Sequence, residues 1–382
     1  MTVEQLLKLI PSKLLSELAA ETQVDYRVHK LSGESIFKLL LFSMLETDKL
    51  SLRVMEDLLS SAKFKHFSGN DNVIDSRYNS IRDRICTINA TYFERLFSSI
   101  FKIYNKELGE QDALSKSDST MVSLASKLFS IGMSNESAGK NYVKYSVNVK
   151  GSLPSHVKVY IHQSYNSEEY ALKDLIESLP DGDGEMIVFD RGLKSRDSFD
   201  RFSLNGKLFI TRGESNIRCG VQQVKRVKKY KRGSVEVISD EIGTLLNKHQ
   251  RQTEYLYRII KCRVIETGEE ICFVTNMLDE DAYDIAGWYK QRWEIELFFK
   301  FIKQHLNVKH LVSRTENGMK VMIYMTMIAA ILILAYKKLN DQSGFKRAKL
   351  KFTIELENEI IKDIVRLCGG NPDRAKHLWG KT

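Results

Sequence analysis

The stretch 288–303 contains no glycine or proline and carries four polar residues at helical spacing: Tyr289, Arg292, Glu296 and Lys303. Such a stretch predicts one continuous helix. At about 100° per residue, the four side chains fall within roughly 60° of one another on the helical wheel. One carboxylate would then lie among two cations and a phenol, a set suited to a metal ion and a phosphate backbone. An ordinary surface helix is the alternative, because Arg292 and Glu296 have the i, i+4 spacing of a stabilising ion pair.

The apolar residues of this stretch indicate how the predicted helix packs. Ile295, Phe299 and Ile302 form the arc next to the polar row. The polar row should therefore lie at the edge of the buried face. Glu294 falls on the opposite side, and we expect it to be a solvated neighbour.

Two aspartates could provide further metal ligands. Asp118 lies inside the predicted strand 113–122, and Asp190 directly follows the apolar run 186–189, which predicts a strand buried on both faces. Functional groups of α/β sheets lie at the carboxyl ends of strands. With Glu296 on a helix packed against this sheet, three carboxylates could hold two Mg²⁺ ions about 3.5–4 Å apart. Taken alone, each aspartate could instead cap a turn or end a strand.

The composition favours a nucleic-acid partner. The 382 residues carry a formal net charge of +9, which favours a polyanion. Five scattered cysteines without a CxxC motif argue against a zinc finger or a disulfide framework and indicate reduced thiols in a cytoplasmic protein. The apolar stretch 321–336 is shorter than the ~20 residues of a membrane span. We therefore expect a buried helix there and no membrane partner.

Changes in pattern along the chain predict five regions. Residues 1–110 read as an all-helical N-terminal domain, and residues 343–382 as a small helical tail. Alternating and buried strands with intervening helices place a mixed α/β catalytic core in 111–213 and 271–342. Residues 214–270 break that rhythm and read as a β-rich insertion.

The helical N-terminal region holds equal numbers of basic and acidic residues. This balance leaves a packing or dimerisation role open beside a DNA-reading one. Arg77, Arg82 and Arg84 are its best candidate phosphate contacts.

The β-rich insertion contains a basic run interleaved with one tyrosine. The basic residues are Lys225, Arg226, Lys228, Lys229, Lys231 and Arg232. Basic residues beside an aromatic ring suit a loop or strand laid along a phosphate backbone. A solvated charged face is the alternative interpretation.

The spacing Tyr289-x2-Arg292-x3-Glu296-x6-Lys303 closely resembles the Y-R-E-K signature of one large group of bacterial insertion-sequence transposases. Asp118-Ser119-Thr120 is similar to the first aspartate motif of that group, and Asp190-Arg191-Gly192 to its second. The resemblance implies an RNase H-like catalytic domain with a five-stranded mixed sheet and flanking helices, interrupted by the insertion. It also implies that Asp118, Asp190 and Glu296 form an Asp-Asp-Glu triad holding two Mg²⁺ ions, with Mn²⁺ as a substitute.

The same resemblance implies roles for the other residues. Arg292 and Tyr289 would bind the phosphate next to the cut, and Lys303 the transferred strand. The reaction would be cleavage at the element's ends, followed by attack of the 3′-hydroxyl on target DNA. The partners would be double-stranded DNA, as terminal inverted repeats and target, and a second copy of the chain. Terminal-repeat binding by the N-terminal helices rests on architecture alone.

Some relatives pass through a DNA hairpin and use a tryptophan in the insertion to receive a flipped base. Residues 214–270 contain no tryptophan, although Tyr230, Tyr255 or Tyr257 could stack instead. Two other interpretations remain open: an RNase H-like nuclease without strand transfer, and a catalytically idle DNA-binding derivative.

Overall fold

The computed structural model describes most of the chain. The described residues are 1–47, 49–69, 76–110, 113–124, 132–135, 140–181, 184–225, 233–247, 250–306, 308, 311–313 and 315–374. Within these ranges the chain folds into a large mixed α/β arrangement, with helices on both faces of one sheet.

Seven helices come first, as the pattern of residues 1–110 predicts. They are α1 (Val3–Lys8), α2 (Ser12–Thr22), α3 (Gly33–Glu46), α4 (Leu52–Ser60), α5 (Ala62–Ser68), α6 (Tyr78–Thr87) and α7 (Ala90–Glu107). Short polar residues begin several of them: the Ser32, Ser51 and Ser61 hydroxyls accept hydrogen bonds from backbone N–H groups of the first turns of α3, α4 and α5. The prediction of helical structure for this region is confirmed.

Ten strands form a single sheet in the described residues. They are β1 (Leu114–Ser123), β2 (Met133–Asn135), β3 (Lys140–Lys150), β4 (Leu153–Tyr160), β5 (Met186–Phe189), β6 (Leu208–Gly213), β7 (Cys219–Val224), β8 (Val235–Leu245), β9 (Tyr257–Val264) and β10 (Glu270–Thr275). Their order is β2-β3-β1-β5-β6-β10-β9-β8-β7, with β4 also paired to β3. Strand β1 is antiparallel to β3 and parallel to β5, and β5 is parallel to β6.

The expectation that the sheet is limited to five strands is wrong, because ten strands of the described residues belong to it. Strand β10 pairs antiparallel with β6, and β9, β8 and β7 follow, so strands of the predicted insertion continue the same sheet. The physical reason is the free edge of β6, whose backbone N–H and C=O groups would otherwise remain unpaired. Alternation within each strand predicts that strand, but it does not specify which edge the strand joins.

Helices after β4 cover the sheet and complete the chain. They are α8 (Glu168–Ser178), α9 (Arg196–Leu204), α10 (Ala282–Lys290), α11 (Trp293–His305), α12 (Glu316–Leu339) and α13 (Phe345–Leu367), and a short 3₁₀ helix (Gln163–Asn166) precedes α8. By length and composition α12 could cross a membrane, but 94% of its apolar window is buried inside the protein. The expectation of a buried helix at 321–336 is confirmed.

One large apolar core joins regions that the sequence pattern separates. It contains residues of the N-terminal helices, of β1, β3 and β4, and of α11, α12 and α13. The C-terminal helix contributes Ala348, Phe352, Leu356 and Ile360 to this core. Helix α13 is therefore an integral part of the core, and the expectation of a small appendage is wrong. Two smaller clusters lie around α9 and under α10.

Candidate active site

Neighbouring parallel strands bring Asp118 and Asp190 side by side. The β1–β5 ladder ends at the pair Ser117 and Phe189, and each aspartate is the next residue along its chain. Because parallel strands lie about 4.8 Å apart and equivalent positions face the same side, the two carboxylates share one surface of the sheet. Asp118 is still inside β1, where it is opposite Val147 of β3.

The polar stretch 288–303 is interrupted, so the prediction of one continuous helix is wrong. Helix α10 ends at Lys290 and α11 begins at Trp293. At the junction, the Arg292 N–H donates to the Tyr289 carbonyl (3.0 Å), and the Ile295 N–H donates to the Arg292 carbonyl (3.1 Å). These i to i−3 bonds tighten the turn between the two helices. No glycine or proline marks this break in the sequence.

Arg292 lies between two of the predicted catalytic carboxylates. Its Nη1 atom is 3.8 Å from Oδ2 of Asp118, and its Nη2 atom donates to Oε1 of Glu296 at 2.5 Å. The Arg292 side chain is only 14% exposed, and its Nε–H has no partner among the described residues. The guanidinium thus connects β1 to α11 and supplies positive charge to a cluster of acidic side chains.

Burial raises the pKa of the Asp118 carboxyl to about 6. The Ser119 N–H, which donates to Oδ1 at 2.7 Å, and the Arg292 guanidinium oppose this rise, while the charges of Glu168 and Asp190 add to it. A pKa rise of this kind is typical of carboxylates gathered in one site.

Glu168 is an acidic residue of the site that the sequence reasoning missed. It begins α8, and a Cβ atom at Gly192 would lie 2.7 Å from its Cδ atom. The glycine of the Asp190-Arg191-Gly192 turn therefore leaves room for this side chain. Its position in the first turn of a helix is common for glutamate, so the sequence offers no signal for its role.

Tyr289 and Lys303 are held at opposite ends of the site. Tyr289 is 9% exposed, its ring packs 5.1 Å from that of Phe273, and its hydroxyl has no partner of good geometry in the described structure. Burial raises the pKa of this phenol to about 12. The Lys303 ammonium donates to Oγ1 of Thr120, two residues beyond Asp118.

The donor set fits a divalent ion in type. Carboxylate oxygens are the ligands that Mg²⁺ prefers, and the position of the Arg292 guanidinium between Asp118 and Glu296 shows that positive charge is favoured there. In the part of the chain that the structure describes, no three acidic, histidine or cysteine side chains are already arranged to hold a metal ion.

Most of the predicted basic run lies outside the described residues: Arg226, Lys228, Lys229, Lys231 and Arg232. Lys225 is described, and its ammonium donates to the Leu278 carbonyl. This lysine is therefore engaged within the fold.

Two further expectations are corrected by hydrogen bonds. Tyr257 is fully buried and donates its hydroxyl to Oδ1 of Asp200 (2.8 Å), so it does not offer a face for base stacking. Arg84 donates to the carbonyls of Leu31 (2.8 Å) and Val24 (2.7 Å). It holds the N-terminal helices together, which removes it from the candidate phosphate contacts.

We expect Asp118→Asn to stabilise the metal-free protein at pH 8. The folded state binds the Asp118 proton more tightly than the unfolded state, whose pKa is near 4. Ionisation therefore lowers stability as the pH rises from about 4 to about 6, and the loss persists above that range. The variant should gain about 3 kcal/mol at pH 8 and well under 1 kcal/mol at pH 4. Denaturant unfolding in EDTA measures both values, and equal gains at the two pH values would contradict this account.

The comparison with protein families bears directly on these residues. Residues 118–332, more than half of the chain, match the family model described as "Transposase DDE domain". The chain belongs to this family. The matched segment begins at Asp118 and includes Asp190 and Glu296.

Several proteins that are similar to this chain in sequence are also named transposases. It is 31% identical over 186 residues to the "Probable transposase for insertion sequence element IS5377" of Geobacillus stearothermophilus, covering 46% of this chain and 48% of the relative. It is 26% identical over 266 residues to the "Putative transposase for insertion sequence element IS4SA" of Synechocystis sp., covering 65% and 69%. A match to the "Putative transposase y4zB" of Sinorhizobium fredii covers 41% and 44% at 29% identity. The chain thus spans less than half the length of the first and third of these relatives.

One solved structure is similar to this chain over most of the chain's length. It is the cryo-EM structure of a piggyBac transposase synaptic complex with hairpin DNA. The match covers 95% of this chain and 82% of the piggyBac chain, with a TM-score of 0.46 and 11% sequence identity.

Proposed function

We propose that this chain is an insertion-sequence DNA transposase, which cuts DNA at the element's ends and joins the resulting 3′-hydroxyl to target DNA. The observation that carries the proposal is the meeting of three elements around one guanidinium. Asp118 of β1 lies beside Asp190 at the end of β5, and Arg292 connects Asp118 to Glu296 of α11. Membership of the transposase family and the names of the relatives support the same reaction.

We assign the central five strands, in the order β4-β3-β1-β5-β6, to an RNase H-like core. Three of them form an antiparallel meander, and the other two continue parallel to β1. In this assignment residues 111–213 and 271–342 form the catalytic region and residues 214–270 the insertion, although their strands share one sheet.

Asp118, Asp190 and Glu296 would hold two Mg²⁺ ions, or Mn²⁺ in their place. Bound at this site, the ions would supply an activated water or 3′-hydroxyl and stabilise the leaving oxygen of a phosphodiester displacement. The chain's own contribution is to place Asp118 within β1, Asp190 directly after β5 and Glu296 on α11, so that strands and a helix support the three carboxylates.

Arg292 and Tyr289 are suited to a phosphate oxygen. Each has a buried N–H or O–H group without a partner in the described structure, and such groups are costly when left unpaired. A phosphate next to the cut would accept hydrogen bonds from both, and the guanidinium would add a favourable charge. Lys303, held at Thr120 beside the same strand, would contact the transferred strand.

The proposed partners are double-stranded DNA, as terminal inverted repeats and target, and a second copy of the chain. The net charge of +9 supports a polyanionic partner. A protein acting on bacterial DNA would work in the cytoplasm. Recognition of the terminal repeats by residues 1–110 remains a proposal from architecture.

Charge reversal of the basic run tests its part in DNA binding. Replacing Lys228, Lys229 and Lys231 with glutamate should weaken DNA binding and flatten its dependence on salt. Each lost phosphate contact should reduce the slope of log K against log salt by about 0.9. Fluorescence anisotropy measures this slope between about 50 and 200 mM salt, where phosphate contacts strongly affect affinity. The slope should stay unchanged if the side chains of the run are only solvated.

A strand-transfer assay tests the proposed function. Purified full-length protein is incubated with Mg²⁺, a labelled duplex that ends in the element's own terminal sequence, and a supercoiled target plasmid. Labelled DNA joined to the plasmid supports a transposase. Cleavage without joining would favour the nuclease interpretation, and DNA binding without either reaction would favour the idle derivative.

A further inference from the structure

A buried lysine connects strand β1 to the start of α11. The Lys116 side chain is 3% exposed, and its ammonium donates to the Gly151 carbonyl (3.0 Å) and to Oε2 of Glu294 (2.9 Å). Lys116 precedes Asp118 by two residues, and Glu294 precedes Glu296 by two residues. The expectation that Glu294 is only a solvated neighbour is therefore wrong, although its side chain remains 57% exposed.

A second polar contact joins the same strand and helix farther along. Lys303 of α11 donates to Oγ1 of Thr120 in β1. Four residues of strand, from 116 to 120, span about 13 Å. Nine residues of helix, from 294 to 303, span about 13.5 Å. The matched lengths mean that α11 runs alongside β1 in the same direction and is held near both ends.

Other contacts also hold the start of α11: Ile295 is fully buried in the core, and Arg292 lies between Asp118 and Glu296. Helix α11 follows the break at Arg292, and no side chain caps its N-terminus. A displacement of α11 along β1 would separate the buried Lys116 ammonium from the Glu294 oxygen that accepts its hydrogen bond, and a buried donor without an acceptor is unfavourable.

We propose that Lys116 and Glu294 are positioning residues for the catalytic centre. The contact between their side chains holds the first turn of α11, and with it Glu296, against the strand that carries Asp118. This inference rests on the proposed function, in which Glu296 is a metal ligand. It assigns a role to two residues outside the Asp-Asp-Glu triad and outside the Tyr-Arg-Glu-Lys row.

Two substitutions of Glu294 distinguish the effect of its hydrogen bond to Lys116 from the effect of its negative charge. Glutamine removes the charge and keeps an oxygen that accepts from Lys116, whereas alanine removes both. The test titrates the metal-free full-length protein with Mn²⁺ and follows free Mn²⁺ by electron paramagnetic resonance. Glu294→Ala should weaken Mn²⁺ binding about tenfold, as losses of outer-shell partners do. Glu294→Gln should stay within about twofold of the wild type, since the contact that positions α11 is retained.

A second readout reports the helix directly. Hydrogen–deuterium exchange of the peptide covering residues 293–299 should be faster in Glu294→Ala than in the wild type. It should be nearly unchanged in Glu294→Gln. This measurement needs no metal, so it tests the contact even where metal binding is weak.

The chain offers a matched control in a second buried lysine with an exposed acidic partner. Lys207 is 2% exposed and pairs with Asp181 (2.8 Å), which is 64% exposed. Lys207 lies just before β6, at the amino end of the parallel strands, whereas Asp190 follows their carboxyl ends. Asp181→Ala should remove a comparable ion pair without changing Mn²⁺ affinity.

Three outcomes would overturn the proposal. Equal losses in Glu294→Ala and Glu294→Gln would show that Glu294 acts only through its charge. Equal losses in Asp181→Ala would show a general effect of stability, and unchanged binding and exchange in Glu294→Ala would show that the pair positions nothing. Failure of the proposed function has a different signature: Mn²⁺ affinity would then be insensitive to Glu296→Gln as well.

Discussion

Replacing Glu296 with glutamine should abolish DNA cleavage and strand transfer while leaving DNA binding nearly unchanged. The amide keeps the size of the side chain and can still accept a hydrogen bond from Arg292, which holds Glu296 at 2.5 Å in the wild type. It removes the negative charge that a metal ligand needs. Removing one group aimed at developing charge costs about 10²–10³-fold in rate, so we expect at least that loss. Gel electrophoresis of cleaved and joined DNA measures it.

Glu294→Gln is the natural control for this variant, because it removes the same charge from the same helix two residues away. It should retain most of the activity and all of the DNA binding. Loss of DNA binding in Glu296→Gln would point to a structural role for Glu296. Full activity in that variant would exclude Glu296 from the catalytic centre.

Arg292→Ala should strongly destabilise the metal-free protein, and Mg²⁺ should restore part of the loss. The guanidinium lies between Asp118 and Glu296, and both the arginine and Asp118 are largely buried. Removing it leaves neighbouring carboxylates without their counter-charge, which typically costs about 3–5 kcal/mol for a buried pair. We expect about 3 kcal/mol, because Glu296 is partly exposed. A bound cation can replace the lost charge, so added Mg²⁺ should stabilise the variant more than the wild type.

Chemical denaturation in EDTA and in Mg²⁺ measures both effects. Arg82→Ala is a suitable control, since Arg82 is 39% exposed and pairs with an exposed aspartate, Asp83. Such surface pairs contribute about 0–1 kcal/mol. A loss in Arg292→Ala no larger than that of the control would show that the guanidinium does not neutralise the site. DNA cleavage by Arg292→Ala should also fall, because the variant lacks the phosphate contact that we propose for Arg292.

The two aspartates illustrate what local pattern could predict. The apolar run before Asp190 and the broken apolar stretch around Asp118, rich in serine and threonine, predict two strands, and both are observed within one residue of the expected bounds. Side-by-side placement follows once β1 and β5 pair in parallel. The apolar periods of two residues in strands and of 3.6 residues in helices depend only on neighbouring residues, so they predict elements without knowledge of the whole fold.

Contacts between distant segments could not be predicted in the same way. The break at Arg292 depends on how α10 and α11 pack on different parts of the sheet, and neither residue type nor spacing records it. The pairing of Lys116 with Glu294 joins residues 178 positions apart. Extension of the sheet beyond β6 likewise depends on a free edge rather than on any residue in the strands that join it. Tertiary packing determines all three of these features.

The buried helix α12 has a consequence for how the protein is made. It packs against α1, α3, α6 and α7, all of which leave the ribosome long before it does. About 230 residues separate the end of α7 from the end of α12. At about 5–20 residues per second, the first helices wait on the order of 10–50 s for the segment that covers their apolar faces. A product truncated before residue 316 would therefore lack its core and be degraded or aggregate, rather than persist as a folded competitor of the complete protein.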